Sequence, residues 1–436
     1  MSQSLLSGNA VAGHEVIAPL RPESAVPSRH AFGQDMAVSL LRRAIRKESL
    51  AMRFGDGVIE RFGEVAGDVD DQAASPVITI TALPWHTWLR ILVRPEVAAP
   101  RSFVDGEWTI EQGDLADLIH LFRANLGGFN ANPLAKLDEL RWALEFRIRR
   151  LNPVFQSKPR IQAHYDRGDH FYESFLDSAM QYSCAFFTRP EADLEEAQQH
   201  KIATIIDRLR LDRPGLKVLD VGCGWGGLSR AIAARTASDV TGITISSRQF
   251  AYATHEREAI EDAGLRERLH YEEVDYRRHA QDADGLYDRV VSIGMLEHVG
   301  IDHYPAYFRT VKRLLKPGGR ALIHNIVSPH AGPTAEWIAK DVFPGGYIPL
   351  QEEVEQAIAE AGLALEKAHI HDGSNYARTL QLWRARFTER WQSDMAGNAA
   401  DRRFFRHWQM YFAACENAFD STQLGLKVIQ FTIHRP

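Results

Sequence analysis

The segment 218–227 reads VLDVGCGWGG, an apolar run that passes into glycines. A strand, a glycine-rich turn and a helix in that order can bring bare backbone against a ligand, because glycine has no Cβ and accepts positive φ. Gly222, Gly224 and Gly227 satisfy G-x-G-x-x-G, so a nicotinamide or flavin site is one reading and a purely structural loop is another. Two features favour a different ligand. Asp220 stands two residues before the first glycine, where a strand-end carboxylate helps to hold a cationic group. The next strand ends in ITISS at 243–247, without the acidic residue expected about 20 residues on to bind a ribose.

Four further stretches carry unusual polar groups: QAHYDRGDHFY at 162–172, MQYSCAFF at 180–187, SIGMLEHVG at 292–300 and ALIHNIV at 321–327. His324 falls inside an apolar strand, where an unpaired polar group is costly, so it is either a satisfied core histidine or part of a site. Glu297 and His298 fall at a strand's carboxyl end, where open α/β sheets bind ligands; a helix-starting charge is the plainer reading. Cys184 can be read as a nucleophile. Asp275 closes the third strand and reads as a turn residue or as a ligand acceptor. His369 and His371 share a strand face, but the sequence positions no third ligand, so no metal site is assigned.

The elements that must hold these groups follow from hydrophobic period. Residues 1–31 read as a flexible tail. A smaller α+β domain at 32–126 opens with a helical pattern at 32–53. Strands are expected at 58–62, 77–83 and 89–93, a turn at FVDGEW (103–108), and a helix from Asp114 to Ala124. A connector at 127–160 contains a cationic helix at 137–151, with Leu140, Leu144, Ile148 and Leu151 on one face. That face is either packed or a contact for anionic lipid. From 161 to 436 strands and helices alternate. Strands are expected at 218–221, 240–245, 270–274, 289–293 and 320–327, helices at 228–235, 248–261 and 304–315. This is the pattern of a parallel sheet covered on both faces. A strand at 363–371, a helix at 402–419 and a final strand at 427–434 complete the chain.

DVGCG, the strand-end Asp275 and LKPGG at 315–319 resemble the motifs of class I S-adenosylmethionine-dependent methyltransferases. A narrower resemblance rests on HYDRGDHFY, YSCAFF, VLDVGCGWGG, GITISSRQ, VDYRR, VSIGMLEHVG, LKPGG, FPGGYIP and NYARTLQLW. These segments, from about Gln162 to the C-terminus, resemble the cyclopropane-fatty-acyl-phospholipid synthases and the mycolic acid cyclopropane synthases. FVDGEW and the helix after it are similar, more weakly, to the smaller N-terminal domain of that family. The resemblance implies an α/β fold: a Rossmann-like class I methyltransferase sheet with helices on both faces, beside the small α+β domain.

It also implies a reaction. A methylene carbon passes from S-adenosylmethionine to a cis double bond of an unsaturated phospholipid acyl chain, through a carbocation deprotonated by bound bicarbonate. An alkene is a weak nucleophile, so the electrophilic methyl must be aimed at it in a dry site. The family's bicarbonate pocket maps onto Cys184, Glu297, His324, Ile326 and Tyr376. Backbone N–H groups near Cys184 and Ile326, with His324 and the Tyr376 hydroxyl, are expected to donate to the anion, and Glu297 to share its proton. The alkene chemistry needs no thiolate. Cys415 matches another family cysteine and reads more plainly as helix packing. At the cofactor, Tyr182 and Ser183 are expected at the amino-acid end. Asp220, Gly222, Gly224, Gly226, Thr244 and Gln249 are expected along the pocket, and Asp275, Tyr276 and Arg277 at the adenine. Phe171, Trp337, Phe343 and Tyr347 line the acyl tunnel or pack the core. Asp169-His170, where the family commonly has Asn-Asp, and Arg248, where it often has an acidic residue, leave cofactor affinity open.

The 436 residues, 45% hydrophobic and 25% charged, suit a folded chain of two domains and exclude wholesale disorder. A net charge of -6 argues against a nucleic-acid partner. Three cysteines build no disulfide framework, which points to a reducing compartment. No run nears ~18 apolar residues, so the expected location is cytoplasmic, peripheral to the inner membrane face. The expected partner is the unsaturated acyl chain of a membrane phospholipid, with a homodimer as a further expectation. A sister reaction, methylation without ring closure to a methylene- or methyl-branched product, would use nearly the same residues.

Overall fold

The computed structural model describes residues 22–63, 78–125, 133–150, 168–394, 399–420 and 424–436. Most of the expected tail, residue 151 and the 164–167 part of HYDRGDHFY lie outside them. The chain divides into two compact units, Met1–Lys136 and Leu137–Pro436.

In the first unit, α1 (Gln34–Ala44) buries Ala37, Val38, Leu41 and Ala44 along one stripe. The expected helix over 32–53 stops there. Ile45 is extended, Glu48 takes a left-handed φ of 63°, and Ser49–Arg53 becomes strand β1. The Asn125 Oδ1 accepts from the N–H groups of Arg46 and Lys47, which fixes this reversal. β1 pairs antiparallel with β2 (Ile59–Gly63) and parallel with β3 (Ile78–Thr81), and β3 pairs antiparallel with β4 (Ile110–Gln112). The expected strand at 89–93 is instead the end of helix α2 (Trp85–Val93). A short apolar run does not declare its own period, and here Thr87 and Trp88 are the buried side chains while Leu89 and Val93 are exposed. Helix α3 (Pro95–Val104) follows, then α4 (Leu115–Ala124), capped by the Asp114 carboxylate on the Ala116 N–H. Residues 22–31 are not a free tail. Glu23 N donates to Gly106 O at 2.8 Å, Pro27 O accepts from Gly55 N at 2.9 Å, and Arg29 pairs with Asp35 and Glu60.

The second unit takes in most of the helix read as a connector, α5 (Pro133–Arg150). The short α6 (Asp169–Glu173) and the long α7 (Leu194–Arg208) lead into the sheet. Its strands are β5 (Lys217–Val221), β6 (Asp239–Thr244), β7 (Leu269–Glu273), β8 (Tyr287–Ile293), β9 (Leu315–Val327), β10 (Ala364–His371) and β11 (Lys427–His434). Their order is β10-β11-β9-β8-β5-β6-β7. The pairings β5·β6, β6·β7, β5·β8 and β8·β9 are parallel, and β11 runs antiparallel to both β9 and β10. The chain leaves β5 toward β6 and later returns to its other side at β8. A crevice therefore opens at the carboxyl ends of these strands.

Helices cover both faces. Val218, Val291 and Leu322 pack with Ile202 and Ile205 of α7 and Leu228 and Ile232 of α8 (Gly227–Thr236). Leu219, Val290, Ala321 and Ile323 face Tyr307, Phe308 and Val311 of a helix at Tyr304–Leu314. Each such side chain fully buried is worth about 1.5–3 kcal/mol. Strand alternation places His324 and Ile326 on the face of Leu322, the side of α7. Two long helices, Gly373–Asp394 and Ala399–Asp420, pack together near the end of the chain. The sequence reading found only the second of them, and it did not find α7.

Candidate active site

A cavity of about 330 Å³ opens at the carboxyl ends of β5 and β6 and the turns after β7 and β8. Of the residues expected at a cofactor, Tyr182, Ser183, Asp220, Gly222, Gly224, Thr244, Gln249, Asp275, Tyr276 and Arg277 all border it. Gly226 does not. It turns the chain into α8 at φ 79°, and its carbonyl accepts from the Tyr271 hydroxyl at 3.0 Å. Beyond the turn, Gly227 is required by packing, since a Cβ there would sit 1.8 Å from the Ala179 carbonyl oxygen. Gly222 and Cys223 donate their N–H groups to Ile243 O at 2.9 and 3.0 Å, which ties the turn to β6.

Local hydrogen bonds position the polar lining. Asp220 is buried, accepts from the Ser229 hydroxyl at 2.7 Å, and is raised to about 6 by burial. Thr244 donates its hydroxyl to Gln249 Oε1 at 2.9 Å. Asp275 caps the helix Tyr276–Asp282 and also takes the Arg277 guanidinium, with Nε 2.8 Å from Oδ1. It is a structural cap that also borders the cavity. Sequence reasoning missed three apolar walls, Trp142 and Phe146 of α5 and Met295 after β8. His298, also in the wall, is pushed down to about 4 by burial and stays neutral.

The second group of expected residues converges on the α7 side of β9. β8 ends at Ile293, and a short turn, Leu296–His298, carries Glu297 back to the sheet. Ile326 N donates to Glu297 Oε1 at 2.7 Å. Glu297 Oε2 is buried and has no partner among the described residues. Burial raises this carboxyl to about 7, so near neutrality it gives up or takes a proton readily.

His324 has its protonation set by a chain of donors. Arg208 is donor-only, and its guanidinium holds Gln430 Oε1. The amide nitrogen of Gln430 must then face His324 Nδ1, at 3.1 Å. Nδ1 therefore accepts and the ring proton sits on Nε2. Burial keeps the imidazole neutral, pushing it well below its usual range. Phe186 stacks parallel to this ring at 5.9 Å.

Cys184 is completely buried. Its thiol lies 3.3 Å from Ala185 O and is pushed up by burial, so it does not present a thiolate. The YSCAFF segment is clamped to the helix Gly373–Asp394: Ala185 N donates to Thr379 Oγ1 at 3.0 Å and Phe187 N to Asn375 Oδ1 at 2.9 Å. The same helix carries Tyr376. Burial holds its phenol neutral, and Tyr411, Cys184, Glu297 and Cys415 are among the groups near it. This proximity is what brings the scattered candidates together. One expectation is corrected. The backbone N–H of Ile326 is spent on Glu297 and that of Ala185 on Thr379, so neither is free for an anion. Donors without a partner among the described residues are the Cys184 N–H, His324 Nε2 and the Tyr376 hydroxyl, beside the orphan oxygen of Glu297.

Other candidates resolve into packing. Phe171 sits among Phe175, Phe387, Phe404 and Trp408, a ring core. Trp337 is buried beside His407, and Phe343 lies edge-on to Tyr411 at 5.5 Å. Tyr347 alone of the four borders the cavity, its hydroxyl bonded to Glu353. His371 meets Arg208 at 2.9 Å and stacks on Phe186.

Comparison with known proteins gives concordant matches. The family model described as mycolic acid cyclopropane synthetase matches residues 155–431. Cyclopropane-fatty-acyl-phospholipid synthase of Escherichia coli strain K12 is 35% identical over 348 residues, 79% of this chain and 85% of that protein. The tuberculostearic acid methyltransferase UfaA1 of Mycobacterium tuberculosis is 36% identical over 424 residues, 92% of this chain and 91% of that protein. Among solved structures, the mycolic acid cyclopropane synthase CmaA1 complexed with SAH and CTAB superposes with a TM-score of 0.56 at 29% identity, covering 64% of this chain and 98% of that one.

Proposed function

This chain belongs to the mycolic acid cyclopropane synthetase family, and from that premise we propose that it transfers a methylene carbon from S-adenosylmethionine to a cis double bond of an unsaturated phospholipid acyl chain, forming a cyclopropane. The observation that carries the reading is the cluster of buried Cys184 and His324 with half-buried Glu297 and Tyr376, beside the glycine-turn cavity. Three donors and one carboxyl oxygen without a partner among the described residues suit a small anion that both accepts and donates, which is the chemistry of bicarbonate. When bound there, bicarbonate supplies a base in a dry site. The cavity fits S-adenosylmethionine in the same sense. Bare glycine backbone and polar groups line one side and Trp142, Phe146 and Met295 the other. When bound, this cofactor supplies an electrophilic methyl group.

The chain's own contribution is placement and exclusion of water. His324 keeps its Nε2 proton available because Gln430 and Arg208 fix the tautomer. Glu297 is held by the Ile326 N–H, and its other oxygen has no partner among the described residues. The neutral Cys184 thiol and buried aromatic rings keep the surroundings apolar, which strengthens each remaining hydrogen bond. The lipid reading draws on α5. The helix that puts Trp142 and Phe146 into the cavity wall turns Leu137, Leu140, Leu144 and Ile148 outward beside Arg147. This is the amphipathic, partly cationic face that lies on an anionic bilayer. No described helix is long and apolar enough to cross a membrane.

A second reading, methylation of the acyl chain without ring closure, is favoured by one observation: the match to the tuberculostearic acid methyltransferase covers more of both chains than the match to the phospholipid synthase. One experiment decides. Vesicles of a mono-unsaturated phospholipid are incubated with the protein and methyl-labelled S-adenosylmethionine, and the acyl chains are examined by mass spectrometry and NMR. High-field ring protons on a labelled chain support cyclopropanation. A labelled branch without them supports the second reading, and no label in lipid overturns both.

A further inference from the structure

Lys201, on α7, has no exposed surface and plays no part in the site as described. Its Nζ donates to Ser183 Oγ at 2.7 Å. Among the described residues it forms no ion pair; Asp177 acts on it from beyond that range. One turn earlier Gln198, also fully buried, donates to the carbonyls of Ser183 at 3.0 Å and Gln181 at 3.3 Å. Helix α7 thus grips both oxygens of Ser183, whose other side borders the cavity.

The donor arithmetic has a direct result. An ammonium only donates, so Ser183 Oγ accepts and its own proton must go elsewhere. No acceptor for it stands among the described residues, and the open direction is the cavity. A buried cation without an ion pair is also expensive unless something anionic is bound close by.

We infer that Lys201 is a positioning residue for the cofactor's carboxylate: from behind the cavity wall its ammonium fixes the Ser183 hydroxyl as a hydrogen-bond donor to a carboxylate in the cavity and supplies the balancing charge. The inference rests on the proposed binding of S-adenosylmethionine. Lys201 itself touches no ligand. Asp177 and Cys184 face it from the segment after α6, and His324 faces it from β9. Burial lowers the ammonium to about 8 against the opposing pull of Asp177. A carboxylate arriving at Ser183 raises it again, so binding is coupled to retention of this proton and weakens as pH climbs past 8.

The test is titration calorimetry with two nucleosides, S-adenosylhomocysteine and 5′-methylthioadenosine, which lacks the amino-acid end. Lys201→Met keeps the length and removes the charge. It is expected to weaken S-adenosylhomocysteine by about tenfold or more at pH 7.5 and to leave 5′-methylthioadenosine within about twofold. Between pH 7 and 9.5 the wild-type Kd for S-adenosylhomocysteine should rise more steeply than the variant's. The ligand's own amino group titrates in both, so the difference isolates Lys201. Ser183→Ala should cause the same selective loss, and the double variant no further loss. Should Lys201→Met fail to fold by circular dichroism, Ser183→Ala alone must abolish the steeper pH dependence. Equal losses for both nucleosides, no loss for either, or additive losses in the double variant overturn the inference alone. A wild-type protein that binds neither nucleoside overturns the cofactor reading and the inference with it.

Discussion

The glycine-turn cavity and the Glu297 cluster lie at the ends of neighbouring strands, yet they are built in opposite ways. Much of the cavity's polar lining comes from the end of β5 and the turns after β5, β6 and β7, and its bonds there are local: Thr244 to Gln249, Arg277 to Asp275, Ser229 to Asp220. The cluster draws Cys184, Glu297, His324 and Tyr376 from four segments, and its tautomer is set from farther still, by Arg208 and Gln430. Local turns fold with the strands they join. A group assembled over long range depends on every element that delivers it, and it leaves polar atoms unpaired only where the rest of the fold enforces that cost.

Substitutions can break this contrast. The largest effect is expected at the cluster. Glu297→Gln should lower methyl transfer at least about 100-fold while S-adenosylhomocysteine binding stays within about twofold, read by a labelled-methyl assay and calorimetry. Comparable loss of binding would mean that the two regions are one site. Gln430→Leu touches neither region's ligand but frees the His324 ring to change tautomer. Turnover should fall roughly tenfold, again without loss of nucleoside binding.

Stability sharpens the comparison. Burial holds the Glu297 carboxyl at about 7, above the 4.5 of a free glutamate. Below the lower value both states are protonated. Between the two only the unfolded chain ionises, so stability falls as pH rises, and above 7 the penalty is complete. Glu297→Gln should therefore melt at a higher temperature than wild type at pH 8, by roughly 2–3 kcal/mol of stability, and show no gain near pH 4.5. The smallest effect belongs to the cavity. Thr244→Ala removes one bond from a redundant lining and should weaken S-adenosylhomocysteine only a few-fold.

The same contrast explains what was legible in the sequence. The glycine turn, the alternating strands and Asp275 announce themselves because their signals are contiguous. Residue chemistry points to Glu297, His324 and Cys184 one by one, while Tyr376 and the grouping of the four rest on the family resemblance. Residue chemistry alone left His324 open between a core histidine and a site residue, and only the three-residue chain through Gln430 decides its proton. Lys201 gave no signal, since a lysine in a helix reads as solvated until the fold buries it. The strand expected at 89–93 failed for a related reason, since an apolar run that short fits either period. The sequence groups Gly226 with its ligand-facing neighbours, but Tyr271 occupies the space beside it.

Helix α5 is fastened to its own unit by a short set of bonds: Trp142 Nε1 to Thr334 O at 3.0 Å, Arg141 to Glu336 at 2.5 Å, and Lys340 to Glu145 at 2.9 Å. Its inner rings, Trp142 and Phe146, wall the glycine-turn cavity. One helix therefore carries both the cavity wall, through Trp142 and Phe146, and the exposed leucines Leu140 and Leu144, so a substitution that shifts one of these faces also shifts the other.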